Sequence, residues 1–221
     1  MSTMFDKSRE DRQIQKEALA EIGRRLYVAG HLVGHDGNLS SRASDGTIWI
    51  TASGVSKGFL SPDQMVRLNL QGKQLEGEGR ASSEYQMHLA VYRELPRVRA
   101  VIHAHPPYAT VFACAGKTLD SHSLMEAAMQ LGPVPCTGFA MPGTREVADA
   151  ILPYLHNSSA LLLGNHGALT WGDSLEEAWM RMEVLEYSAR IEYLSQGLGE
   201  LRPIPEEALK YLKSLPKKVK Q

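Results

Sequence analysis

The chain has almost no net charge. Its 221 residues carry 24 lysines and arginines against 25 aspartates and glutamates, a formal net charge of −1. That balance gives no footing for a nucleic-acid partner, which needs a clustered basic surface. Cysteine is scarce too, with only Cys114 and Cys136. They lie in apolar surroundings without C-x-x-C spacing, so neither reads as a metal ligand or a nucleophile. Buried, reduced thiols of a cytoplasmic protein are expected. No apolar run approaches the roughly 20 residues that a membrane span requires. The first residues, M-S-T-M-F-D-K-S-R-E, lack the apolar stretch of a secretory signal. Internal repeats, low-complexity blocks and Pro/Gly/Ser linkers are missing as well, which favours one domain over residues 1–221. A basic tail, Leu215 to Gln221, carries Lys217, Lys218 and Lys220 with no apolar period, and is expected to be mobile.

What is present is an ordinary globular balance, 43% hydrophobic and 22% charged. Ile14, Ala18, Ile22 and Leu26 recur every four residues and predict an amphipathic helix over Asp11–Ala29. Short strands are expected at Thr47–Ile50, Met65–Leu70, Val98–His105, Ala160–Leu163 and Ala168–Trp171. Helices are expected from Ser82 or Ser83 to Leu95, Tyr108 to Ala115, Thr144 (as cap) to Leu155 and Leu175 to Leu194, with a short final helix after Pro205. Helices alternating with short strands predict an α/β sandwich.

Chemistry enters with three histidines. His103 and His105 stand in V-R-A-V-I-H-A-H-P-P, and His166 stands in A-L-L-L-G-N-H-G. Residues i and i+2 of a strand point the same way, so the first pair shares a face at a strand end that Pro106 and Pro107 terminate. Gly164 and Gly167 permit a sharp turn around the third. Three imidazoles leave zinc an open position, the arrangement of a catalytic site. His31, His35, His122 and His156 have no paired spacing and read as structural or solvent-facing.

A second motif is G-R-A-S-S-E-Y-Q-M-H. Glu84 would fall in the first turn of a helix, where the dipole favours a carboxylate. Ser82 and Ser83, with free amides beside them, suit an anion such as phosphate. Glu84 and His88 also form an i, i+4 pair, but H-x-H with His166 already fills the metal's need. The turns Gly37-Asn38-Leu39-Ser40 and Thr51-Ala52-Ser53-Gly54 are backbone-rich and can form anion nests.

Taken in order, G-N-L-S-S-R, I-T-A-S-G, S-S-E, H-A-H-P and N-H-G resemble the class II aldolase/adducin family, over Gln13 to Leu194. The resemblance implies a single α/β/α domain with a largely antiparallel central sheet, and a homotetramer with sites at subunit interfaces. It implies zinc on His103, His105 and His166, with manganese or cobalt as alternatives. Glu84 would be the catalytic acid/base, and Asn38, Ser53, Gly54, Ser82 and Ser83 would line a phosphate site. The implied reaction is cleavage of a ketose 1-phosphate to dihydroxyacetone phosphate and an aldehyde, with a metal stabilising the enediolate. No Schiff-base lysine is needed, so Lys57 and Lys73 receive no role. The same family holds a pentulose-phosphate 4-epimerase, which places an aspartate where Glu84 stands, and a methylthioribulose-phosphate dehydratase, which keeps the glutamate. A non-catalytic adducin-like interaction domain would lack the intact metal ligands. Two positions depart from the aldolase pattern. Leu124 replaces a tyrosine that reaches a neighbouring subunit's site, with Tyr108 and Tyr211 as conceivable substitutes. Asp36 stands where small neutral residues are usual, so either it points away from a phosphate or the substrate is not a phosphate ester.

Overall fold

A computed structural model describes residues 2–120, 123–199 and 201–214. The expected mobile tail at 215–221 and His122 lie outside these residues. One eight-stranded sheet forms the centre, in the spatial order β4-β3-β2-β1-β5-β8-β7-β6. Its strands are β1 (Asn38–Arg42), β2 (Ile48–Thr51), β3 (Met65–Leu68), β4 (Gln74–Glu76), β5 (Ala100–Ala104), β6 (Cys136–Phe139), β7 (Ala160–Gly164) and β8 (Gly167–Gly172). Every neighbouring pair is antiparallel except β6 and β7. The expected largely antiparallel α/β sandwich is therefore what the chain adopts.

Alternation along β5 divides the core. Ala100, Ile102 and Ala104 face one layer, together with Leu19, Ile22 and Leu26 of α1 (Ser2–Val28), Phe112 of α3 (Pro107–Cys114) and Met182 and Leu185 of α6 (Leu175–Ser195). Val101 faces the other, with Met87 and Val91 of α2 (Tyr85–Glu94) and Val147 and Ile151 of α5 (Arg145–Ile151). The remaining α-helices among the described residues are α4 (Met125–Gln130) and α7 (Glu206–Ser214). No helix among the described residues is long and apolar enough to cross a membrane.

Three expectations need correction. The buried stripe of α1 is Leu19, Ile22 and Leu26, while Ile14 and Ala18 are exposed. A step of four residues over-rotates by roughly 40°, so a stripe spaced by four alone drifts off the core. Cys114 is exposed and Cys136 only half-buried. The inward face of α3 is Ala109, Phe112 and Ala113, which turns Cys114 outward, and Cys136 opens the edge strand β6. Finally, α2 begins at Tyr85, one residue after Glu84. The hydroxyl of Ser82 accepts the Glu84 N–H at 3.3 Å, and its carbonyl accepts the Tyr85 N–H at 3.1 Å. Glu84 thus occupies the cap position, and two of the amides expected to be free are already bonded.

Candidate metal centre and active site

The centre of the sheet brings the three histidines together. β5 lies between β1 and β8, with His103 opposite Asn38 on one side and Leu169 on the other. The strand ends at Ala104, and His105 is fixed by its N–H donating to the His31 carbonyl at 2.9 Å. His166 stands in the two-residue turn between β7 and β8, after Asn165, which takes a left-handed φ of 55°. Close approach explains Gly167, because a Cβ there would sit 2.6 Å from the Ala104 carbonyl oxygen. Past His105, Pro106 and Pro107 lead into α3. The amides of Tyr108 and Ala109 donate to the buried carboxylate of Glu186 on α6, at 3.0 and 2.9 Å. The first ligand segment is thereby tied to the helix that follows β8.

The ligand nitrogens of His103, His105 and His166 all lie within 4.8 Å of one another. His103 Nδ1–H donates to the Ala168 carbonyl at 2.9 Å, which turns Nε2 toward the other two rings and Glu84. That Nε2 lies 3.1 Å from His105 Nε2. On the far side of His105, Asp36 Oδ2 is 3.9 Å from Nδ1. Glu84 closes the cluster, with Oε2 3.2 Å from His103 Nε2 and Oε1 3.4 Å from His166 Nε2. Oε1 is buried with no aligned hydrogen-bond donor. Three converging imidazoles and an orphaned carboxylate oxygen fit a divalent metal ion.

The electrostatics agree with that donor set. Burial, reinforced by charge on His103, pulls His105 to about 3 and His166 to about 4, so both are neutral lone-pair donors near pH 7. Burial opposes ionisation of Glu84, but the fields of His103 and His166 and the Asn38 hydrogen bond outweigh it and hold the carboxyl well below the usual range.

Behind Glu84 runs a buried chain of hydrogen bonds that sequence reasoning did not find. Tyr92 Oη lies 2.8 Å from Ser40 Oγ, which lies 2.7 Å from His88 Nδ1. His88 Nε2 contacts Asn38 Oδ1, and Asn38 Nδ2 donates to Glu84 Oε2 at 2.9 Å. Burial holds His88 near 3, hence neutral, and a single direction of donation from Tyr92 to the carboxylate then satisfies every link. His88 is a support of Asn38 and not a ligand.

A cavity of about 490 Å³ opens in front of Glu84. All of Asn38, Ser53, Gly54, Ser82, Ser83, Glu84, His105 and His166 line it. Ser53, Gly54 and Ser83 are exposed to it, whereas Ser82 is buried. His35, Asp36, Gly37, Lys57, Pro142 and Gly143 complete the lining. Asp36 does not turn away, as one expectation required. Among the described residues no tyrosine lines the cavity; Tyr108 meets Tyr193 with tilted rings 5.6 Å apart, and Tyr211 is exposed on α7. His31 is buried 3.2 Å from Glu183, and His35 and His156 are exposed, as their lack of pairing implied.

An antiparallel α/β sheet that gathers three histidines and one glutamate at its strand ends agrees with the family that the sequence matches. The chain belongs to that family: residues 17–193 match the class II aldolase and adducin N-terminal domain. It is 33% identical over 202 residues to the 5-deoxy-D-ribulose 1-phosphate aldolase of Bacillus thuringiensis, covering 90% of this chain and 94% of that one. It is 33% identical over 197 residues to the 3-oxo-tetronate 4-phosphate decarboxylase of Escherichia coli, covering 87% and 90%. A solved L-fuculose 1-phosphate aldolase superposes with a TM-score of 0.84 at 32% identity, covering 90% of this chain and 94% of that one.

Proposed function

We propose that the protein is a metal-dependent carbon–carbon lyase acting on a phosphorylated ketose or 3-oxo acid, with dihydroxyacetone phosphate as the common product. The observation that carries this reading is the Glu84 carboxylate held against the three imidazoles at 3.2 and 3.4 Å, facing the cavity. Aldol cleavage of a ketose 1-phosphate breaks the bond to an aldehyde carbon, and decarboxylation of 3-oxo-tetronate 4-phosphate breaks the bond to a carboxylate carbon. Both leave the same three-carbon fragment with an electron pair on the carbon beside its ketone.

His103, His105 and His166 would hold the metal, with zinc first and manganese or cobalt as alternatives. A divalent ion there supplies Lewis acidity for the negative charge that develops beside a ketone. Glu84, ionised at neutral pH, removes the proton from the hydroxymethyl carbon in the condensing direction and returns it in the cleaving direction. Asn38 keeps one carboxylate oxygen aimed, and the chain through His88 keeps Asn38 from flipping. Ser53, Gly54 and Ser83 would receive the phosphate, so its binding energy positions the reacting carbons. An aldehyde partner is the first reading. Loss of carbon dioxide is the second, favoured by the decarboxylase relative. Exposed Tyr187, Ile191, Leu194 and Leu198 follow one another along α6 and the turn after it, and support a homo-oligomer, with the tetramer of the family resemblance as the expected form.

The half-reaction shared by both readings tests the proposal. In heavy water, zinc-loaded protein exchanges a hydroxymethyl proton of dihydroxyacetone phosphate, chelated protein does not, and Glu84→Gln keeps its metal while losing about 10²- to 10⁴-fold of the rate. No exchange at full metal occupancy overturns the reading. Condensation with short aldehydes against carbon dioxide release from 3-oxo-tetronate 4-phosphate then separates the two partners.

A further inference from the structure

Lys57 has no part in the metal chemistry, yet it lines the same cavity and is only 2% exposed. It opens a short 3₁₀ turn, Lys57–Phe59. Its Nζ donates to the His35 carbonyl at 2.6 Å and to the Val55 carbonyl at 2.8 Å. An ammonium has three N–H groups, so one remains. Among the described residues that third donor has no partner, and no carboxylate comes within ion-pair distance of Nζ. The acidic groups whose fields reach it are Asp36 and Glu84.

A buried charge held by two carbonyls alone is unfavourable without a counter-ion. Burial does pull the Lys57 pKa down, with Asp36 and Glu84 opposing. Pinning the two loops together would need only a neutral donor, so the charge itself requires an explanation. Its place supplies one: Val55 directly follows Gly54, so the ammonium, bonded to the Val55 carbonyl, stands beside the Ser53–Gly54 turn. The 3₁₀ turn Lys57–Phe59 is itself seated on α1. A Cβ at Gly23 would sit 2.6 Å from the Lys57 carbonyl oxygen, and Tyr27 meets Phe59 edge-on at 5.4 Å between ring centres. A fixed cation at this point also offsets the repulsion between Asp36 and an entering dianion.

We propose that Lys57 is the charged anchor of this cavity for the phosphate monoester end of the substrate, with Ser53 and Ser83 as its neutral partners. That the anion belongs to a lyase substrate rests on the function proposed above; that the pocket binds phosphate does not.

Calorimetric titration with inorganic phosphate tests the anchor in full-length protein, both zinc-loaded and chelated. Wild type binds phosphate in both forms. Lys57→Met weakens the affinity about ten- to a hundredfold, and Lys57→Gln, which keeps a donor for the loop carbonyls, weakens it comparably. Zinc content and circular dichroism of the variants report that site and fold persist. In turnover, the preference for dihydroxyacetone phosphate over dihydroxyacetone, as a ratio of kcat/KM, falls at least about tenfold in either variant. Equal phosphate affinity in wild type and both variants overturns the anchor. Phosphate binding that vanishes on chelation assigns the anion to the metal and overturns it equally. These outcomes are read whether or not proton exchange is observed, so failure of the anchor and failure of the lyase reading remain distinct.

Discussion

The two walls of the cavity are built differently. One is made of strand ends. Asn38, His105 and His166 line the cavity there, and directly behind them His103 is fully buried, paired on both sides through β1 and β8, with Nδ1 held by the Ala168 carbonyl. The other is made of turns around Asp36, Ser53–Gly54 and Gly143, all exposed. Groups that stabilise developing charge must already be oriented, because reorganising them during the reaction removes their advantage. Groups that recognise the rest of a substrate tolerate exchange, because a turn is altered without disturbing the ladder behind it. Lys57 sits between the two regimes, with its head at a turn and its backbone locked against α1.

The largest effect is expected on the strand wall. His103→Ala removes a ligand that no loop residue can replace, so metal occupancy and activity fall together to background. Full metal content by atomic absorption would show that the strand wall is not the metal site. A smaller effect comes from the support behind that wall. Burial lowers His88 from 6.5 to about 3, so between these values the unfolded chain binds a proton that the folded chain refuses. Stability of the chelated protein is therefore full above about 6.5 and declines as pH falls toward 3, by up to about 1.4 kcal/mol per pH unit from this one group. Urea titrations at pH 7, 5.5 and 4.5 read that slope, and His88→Phe flattens it. An unchanged slope in the variant would assign the acid sensitivity to other groups. The smallest change is expected on the loop wall. Ser83→Ala raises KM for the phosphorylated donor about three- to tenfold, more than it lowers kcat, because one neutral hydroxyl among several phosphate partners is lost. A selective fall in kcat would place Ser83 at the reacting carbons.

The strand wall is largely legible in the amino-acid sequence. Apolar runs ending in H-x-H and in G-N-H-G carry both the strand and the ligand in one short segment. Elements without such coupling are not legible. β4 is three exposed residues with no apolar alternation, and β6 is a four-residue edge strand whose half-buried and exposed positions follow no simple pattern. The six residues of α4 are equally short. The loop wall is a different case. Lys57, Asp36 and Gly143 become neighbours of the serines only when three separate turns meet, and nothing local in S-G-V-S-K marks the lysine as buried. His88 shows in the sequence as a spacing with Glu84, but its true partners are Asn38 and Ser40 on a strand about fifty positions earlier.

The separation of the ligands along the chain has a consequence for the order in which the molecule matures. His103 and His105 are local to each other, but His166 reaches them only when β8 pairs with β5. An unfolded chain offers a metal ion two of the three imidazoles, and the sheet must close before the third arrives. An ion that needs all three imidazoles would find them together only where the two apolar layers are packed on either side of that sheet. A divalent ion that binds only the assembled site would add its binding free energy to the folded state, so its supply would set both how much protein is loaded and how far the closed sheet is stabilised.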